Sequence, residues 1–89
     1  MKIELDIPDY SPRKGITLNW KPDFMIATEI SPKGTIGITA NSDGLVSLAI
    51  HLLTLAQSNV PIGSHLHYDP GNELEVNSRE LIISKGEDV

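Results

Sequence analysis

Apolar and polar residues alternate in several short stretches of this chain. Residues 3–7 alternate between Ile or Leu and charged side chains, which predicts a strand with one buried and one solvated face. Residues 24–30 and 35–40 are also strand-like, and the Ser-Pro-Lys-Gly sequence at 31–34 between them is typical of a type I turn. These two segments are therefore predicted to form a β-hairpin.

One longer stretch is almost entirely apolar and predicts a helix from about Asp43 to Gln57. Residues 41–43 are all good N-caps, while Asn59 and Pro61 end the helix. On a helical wheel its polar residues fall in a single narrow stripe, namely Ser47, His51, Thr54 and Ser58. The remaining apolar arc spans roughly 220°, which is more than one face of a sheet can cover. We therefore expect a loop carrying Trp20, a second copy of the chain or a partner protein to cover the rest.

Two further strands are predicted after the helix, at 64–68 and 79–84, with an Asp-Pro-Gly-Asn turn at 69–72 between them. The element order is thus β-ββ-α-ββ within a single domain, residues 1–89. Short connections favour antiparallel pairing. The predicted fold class is α+β, a two-layer sandwich in which a mainly antiparallel sheet of about five strands carries one long helix on one face.

Charge and composition narrow the range of functions. The net charge is −5, and residues 44–89 carry six acidic and two basic side chains, which makes the C-terminal half the acidic end. Nucleic acid is disfavoured as a ligand because phosphate binding needs a clustered basic surface, whereas a basic protein partner would be attracted. There is no cysteine, no apolar run of the length that spans a bilayer and no signal-peptide pattern. We therefore expect a soluble, cytoplasmic protein that does not act at a membrane.

Candidate chemistry is confined to His65, His67 and Asp69, which are two residues apart. On a strand they would share one face, and two imidazoles with a carboxylate are a plausible ligand set for Zn²⁺ or another divalent cation. The alternative is that they are polar residues on a solvated strand face. No nucleophilic serine motif or glycine-rich phosphate loop is present, so an enzyme is the less favoured interpretation and no cofactor is expected. Trp20 is either the lid of the core or an interface anchor.

The region from Gly44 to Lys85 resembles the small immunity-protein family numbered thirty-two in bacterial polymorphic toxin systems. The residues that carry the resemblance are Gly44-Leu45 and the Leu-rich helix, His65-Leu66-His67-Tyr68-Asp69, Glu73-Leu74-Glu75, Ser78, and Leu81-Ile82-Ile83. The resemblance implies a non-enzymatic protein that neutralises a cognate toxin by direct binding. It implies no catalytic residues.

Three hypotheses follow. The first is a protein-binding module that binds a basic toxin domain through Glu73, Glu75, Glu80 and Asp69. The second is a divalent-metal-binding protein or small hydrolase that uses His65, His67 and Asp69. The third is a homodimer formed through the uncovered face of the helix.

Overall fold

A computed structural model describes residues 1–88 and confirms the α+β class. In chain order, its elements are β1 (Ile26–Ile30), β2 (Ile36–Ala40), the helix α1 (Ser42–Leu55), β3 (His65–Tyr68) and β4 (Leu81–Ser84). The prediction of one sheet of about five strands is wrong. Within residues 1–88 there are four strands, and they form two separate antiparallel pairs, β1 with β2 and β3 with β4.

The first pair is the predicted hairpin. The Gly34 N–H donates to the Ser31 carbonyl at 2.9 Å, which closes the predicted turn, and Gly34 adopts a positive φ of 86°. Pairing then runs from Ile30 opposite Ile36 to Ile26 opposite Ala40. The turn chemistry and the two strand-like segments were thus sufficient to predict this unit.

Asn41 joins the hairpin to α1. As N-cap, its Oδ1 accepts from the Gly44 N–H at 2.8 Å and from the Met25 N–H at 2.9 Å, so one side chain fixes both the start of the helix and the entry to β1. The backbones approach closely here, because a Cβ on Gly44 would collide with the Met25 carbonyl oxygen. Only glycine fits at this position without displacing backbone.

The face that α1 turns to the interior is centred on its polar stripe. Ser47, His51 and Thr54 are completely buried, whereas Leu52 and Leu53 are about half exposed. The N-terminal segment does cover the helix, as expected for the loop that carries Trp20. It covers the polar stripe, however, and leaves part of the apolar arc uncovered.

Hydrogen bonds explain why the N-terminal segment lies on the polar stripe. Ser47 Oγ accepts from the Lys21 N–H at 2.8 Å, and Gln57 bonds both the Pro8 carbonyl (2.9 Å) and the Tyr10 N–H (3.2 Å). Residues 1–25 have no strand ladder, so these side chains satisfy backbone groups that a sheet would otherwise satisfy. The prediction of a strand at residues 3–7 is wrong, because that segment pairs with no other strand.

The core lies between α1, the N-terminal segment and the inner face of the β3–β4 pair. Its buried hydrophobic cluster consists of Ile26, Leu55, Val60, Leu66, Tyr68 and Leu74. Trp20 and Phe24 pack on it while remaining partly exposed. Lys85 Nζ donates to the carbonyls of Gln57 (2.6 Å) and Val60 (2.8 Å), which ties the end of β4 to the C-terminal end of the helix.

Candidate functional site

Strand β3 separates its side chains cleanly between two faces. Leu66 and Tyr68 are buried in the core, whereas His65 and His67 are exposed on the outer face. His51, the remaining histidine, belongs to α1 and lies on the inner side, where its Nδ1 is 2.8 Å from the Tyr68 hydroxyl. His51 is therefore separated from His65 and His67 by the sheet.

The pairing of β3 with β4 brings a residue distant in sequence to His67. Tyr68 lies opposite Leu81, so the next position along each strand places Asp69 across from Glu80. His67 Nε2 is 3.2 Å from Asp69 Oδ1 and 3.1 Å from Glu80 Oε2. One imidazole thus bridges two carboxylates at the end of the sheet.

The two carboxylates favour the protonated form of His67. Its pKa is raised above the ordinary value of 6.5, chiefly by the hydrogen bond to Glu80, with further contributions from the charges of Asp69 and Glu73. At neutral pH the cluster therefore holds more positive charge on His67 than an isolated imidazole would carry. It remains net negative, because the two carboxylates outnumber the single imidazolium.

A tight turn holds Glu73 beside this cluster. The Asn72 N–H donates to the Asp69 carbonyl at 3.2 Å, and Gly71 has a positive φ of 77°, as predicted for a Pro-Gly turn. Glu73 Oε1 accepts from the Asp69 N–H at 2.9 Å, and its Oε2 accepts from Asn72 Nδ2 at 3.2 Å. Both carboxylate oxygens are thus oriented by donors of the same turn.

On the other side of this turn is an open groove of about 330 Å³, lined by Trp20, Phe24, Asn72 and Glu73. The Trp20 and Phe24 rings are 4.3 Å apart between centroids. Trp20 also contacts the His51 ring edge-on at 4.3 Å, which anchors the indole to the core. We call this groove and the adjoining ion cluster the acidic–aromatic surface, which consists of Trp20, Phe24, His67, Asp69, Asn72, Glu73 and Glu80.

A buried hydrogen-bonded chain supports the groove from below. His51 Nε2 donates to the Asn19 carbonyl at 2.8 Å, so Nδ1 is the acceptor for the Tyr68 hydroxyl. Burial lowers the pKa of His51 and, together with the charge of Glu73, raises the pKa of Tyr68 to about 12. Both groups are therefore neutral at physiological pH, and they fix the position of Trp20 rather than supply a charge.

The structure divides the predicted site residues into two groups. Asp69, Glu73 and Glu80 come together in the acidic–aromatic surface. Glu75 lies elsewhere: its N–H donates to the Ile26 carbonyl at 2.9 Å, and its side chain lines a separate cavity beside β1.

The predicted metal set is rearranged as well. Within residues 1–88, the potential metal ligands whose donor atoms lie within 4.8 Å of one another are His67, Asp69 and Glu80, and His65 is not among them. His65 is predicted as a metal ligand because its spacing places it on the same strand face as His67. The strand register, which the sequence does not reveal, brings Glu80 instead.

Phe24 is not among the predicted site residues, and Trp20 is predicted only as one of two alternatives, the lid of the core or an interface anchor. Nothing in their local sequence links them to Glu73, about fifty positions later. A Trp and a Phe four residues apart in a segment without apolar periodicity were the available signal, and that signal is equally typical of a core lid.

Comparison with known proteins identifies one family. The sequence profile described as Immunity protein 32 matches residues 35–86, which is more than half of the chain and includes β2, α1, β3, β4 and the turn at Asp69–Glu73. No curated protein and no solved structure matches the chain significantly. Among the helices of residues 1–88, none has the length and apolar character needed to cross a membrane.

Proposed function

The chain belongs to the Immunity protein 32 family, and we propose that it neutralises a cognate bacterial toxin by binding the toxin directly through the acidic–aromatic surface. Family membership supports an immunity-type protein-binding role. The observation that carries the choice of surface is the combination of an aromatic groove with three carboxylates clustered around one turn. We propose that the protein acts without catalysis, in the bacterial cytoplasm.

The groove has the chemistry to receive a Lys or Arg side chain of the toxin. The partly exposed rings of Trp20 and Phe24 offer faces to a cation, and Glu73 supplies a carboxylate at the same groove. Since donors of the turn already orient Glu73, little side-chain entropy is lost when the cation binds. An aromatic anchor with an adjacent charged rim is also the usual composition of an interface hot spot.

The ion cluster would contribute mainly to the rate of association. Asp69 and Glu80 share a single imidazole and remain about half exposed, so they attract a basic surface at long range. A basic side chain of the toxin would then replace His67 as their counterion. Because such attraction is screened by salt, association should slow as ionic strength rises.

The experiment is affinity capture from the native host with three forms of the protein. They are the wild type, the site variant Asp69→Asn/Glu80→Gln, and the control variant Glu4→Gln/Glu87→Gln. The two variants lose the same number of charges, but the control loses them outside the acidic–aromatic surface. We expect wild type and control to retain the same stoichiometric protein and the site variant to lose it. Equal retention by all three forms would contradict the proposal.

The proximity of His67, Asp69 and Glu80 favours a second candidate function, the binding of a divalent cation. Nitrogen-to-oxygen separations of 3.1–3.2 Å are close to those between ligands about 2.1 Å from a common metal ion. The test is the melting temperature with and without Zn²⁺. Metal binding predicts a rise in wild type and in His65→Gln that is lost in His67→Gln. No rise in the wild type would eliminate this candidate.

A further inference from the structure

The hydrogen-bond pattern of the β1–β2 hairpin determines which residues of β2 direct their backbone N–H and C=O groups away from β1. At one end the Asn41 N–H bonds the Met25 carbonyl (3.1 Å), and at the other the Ser31 N–H bonds the Thr35 carbonyl (2.9 Å). In an antiparallel pair, hydrogen-bonded and non-hydrogen-bonded positions alternate. Counting inward from either end leaves the same residues of β2 with N–H and C=O directed away from β1, namely Ile36, Ile38 and Ala40.

The corresponding outer edge of β1 is covered, in contrast to that of β2. The Ile26 carbonyl accepts from the Glu75 N–H at 2.9 Å, and the Thr28 N–H donates to Ser78 Oγ at 3.0 Å. Among residues 1–88, the only strand that pairs with β2 is β1. The outer edge of β2 is therefore open.

This open edge lacks the usual protection against strand pairing. Proteins commonly guard such edges with charged residues, proline or a bulge, yet residues 35–40 contain no charge and no proline and pair in an unbroken register. Ile36 is 71% exposed and Ile38 is 46% exposed. Their side chains lie on the same face of the hairpin as buried Ile26, so this face continues the core outward into solvent.

We propose that two copies of this chain pair antiparallel through their β2 strands, with Ile38 opposite Ile38 of the second copy at the twofold axis. In this register Ile36 lies opposite the partner's Ala40, so every outward-facing residue of β2 meets another outward-facing residue. The two hairpins then form one continuous four-stranded sheet. Because β2 contains no charged residue, this pairing brings no like charges together at the twofold axis.

A second copy of this chain fits the open edge of β2 better than a single added strand does, because of where α1 lies. Gly44 of α1 packs against Ala40 and Ile26, so the helix lies on the same side of the hairpin as Ile36 and Ile38. A twofold axis perpendicular to the sheet keeps both helices on that side. The exposed apolar face of α1 consists of Leu45, Leu52 and Leu53. A second copy therefore brings an equivalent apolar helix face to the same side of the sheet, whereas a single added strand would not.

Charge also permits a second copy despite the net charge of −5 on each chain. Residues 34–42 and 44–62 contain no acidic or basic side chain, and His51 within them is buried and neutral. The acidic groups of the acidic–aromatic surface belong to the other strand pair. The proposed dimer is therefore independent of the proposed toxin-binding site, and either can fail without the other.

The native chain contains no cysteine, so single cysteines report the pairing register directly. Ile38→Cys places two thiols across the axis, where paired backbones approach to about 5.5 Å between Cα atoms and a disulfide is sterically allowed. Ile36→Cys is the matched control, since it lies on the same edge but would be roughly 13 Å from its equivalent in the second copy. Under mild oxidation we expect covalent dimers from Ile38→Cys at least tenfold faster than from Ile36→Cys.

The mass in solution provides the second readout. We expect wild type to sediment as a dimer at tens of micromolar, and Ile38→Pro to sediment as a folded monomer, because proline at this position removes only an outward-facing N–H. Ile38→Val is the control at the same position, since it preserves the backbone N–H. A monomeric wild type across the micromolar range would overturn the proposal, as would equal crosslinking of the two cysteine variants.

Discussion

The two faces of α1 show opposite relations between polarity and burial. Ser47, His51 and Thr54 form the centre of the inner face and are completely buried, whereas Leu45, Leu52 and Leu53 lie on the outer face and are about half exposed. An ordinary surface helix has the reverse arrangement. Burial of this helix is therefore decided by hydrogen-bond partners as well as by apolar area.

The inner face is stable because each buried polar group has a specific partner. His51 bonds the Tyr68 hydroxyl and the Asn19 carbonyl, and Ser47 bonds the Lys21 N–H. In residues 1–88 there is no buried side-chain nitrogen or oxygen without a hydrogen-bond partner. The polar stripe thus orders an N-terminal segment that has no sheet to join.

The largest effect is expected from His51→Ala. The substitution leaves a cavity beside Trp20 and removes the partners of the Tyr68 hydroxyl and the Asn19 carbonyl. The free energy of unfolding should fall by about 3 kcal/mol or more. Urea denaturation measures this change, with Leu52→Ala on the outer face as the control, for which we expect about 1 kcal/mol or less. Similar losses in both variants would mean that the two faces do not differ as described.

Ser47→Ala should have an intermediate effect. The Lys21 N–H loses its acceptor in a part-buried position, which should cost about 1–2 kcal/mol. Ala49→Ser on the outer face is the matched control, because it adds the same hydroxyl where water can satisfy it, and its expected change is below about 0.5 kcal/mol. Thermal denaturation of both variants measures the two effects. A larger effect at position 49 would contradict the assignment of Ser47 to the inner face of α1 and Ala49 to the outer face.

Histidine titration sharpens the contrast between interior and surface. The pKa of His67 is raised, so its stabilising contribution is fully present below pH 6.5 and is lost as pH rises through the folded-state pKa. The pKa of His51 is lowered, so its contribution is present above pH 6.5 and is lost as pH falls toward the folded-state value. We expect NMR titration to place His67 above 6.5 and His51 below it. The opposite order would contradict both environments.

The smallest effect on folding is expected from Leu53→Gln at low protein concentration. Leu53 is about half exposed in the single chain, so the free energy of unfolding should change by less than about 1 kcal/mol. If the proposed dimer forms, the same substitution should weaken association at higher concentration. Denaturation measured at two protein concentrations separates these effects, and a large loss at the lower concentration would show that this face is already buried in the monomer.

Local patterns predicted the elements that depend on local chemistry. The turn at 31–34 predicted the hairpin, and the alternation of four residues predicted β3. The three candidate N-caps at 41–43 placed the helix start to within a residue or two, and the structure uses Asn41. The strand at 3–7 was mispredicted because alternation does not itself provide a pairing partner. The family resemblance, in contrast, was confirmed by the profile match.

The sequence indicated several residues of the acidic–aromatic surface but not how they come together, because the surface depends on contacts between distant residues. Asp69 is only two residues from His67 in the sequence, whereas Glu80 comes to them through the pairing of β3 with β4. Trp20 reaches Glu73 through the packing of the N-terminal segment on His51. Neither the register nor that packing leaves a signal in one sequence.

Association kinetics between this protein and the toxin identified by affinity capture would show whether the toxin binds the acidic–aromatic surface. Wild type, Asp69→Asn/Glu80→Gln and Glu4→Gln/Glu87→Gln should be compared at low and at moderate salt. We predict that the first variant slows association about tenfold at low salt and that this difference shrinks at moderate salt, while the second variant stays near wild type. Equal association rates for all three proteins at low salt would contradict toxin recognition through the acidic–aromatic surface.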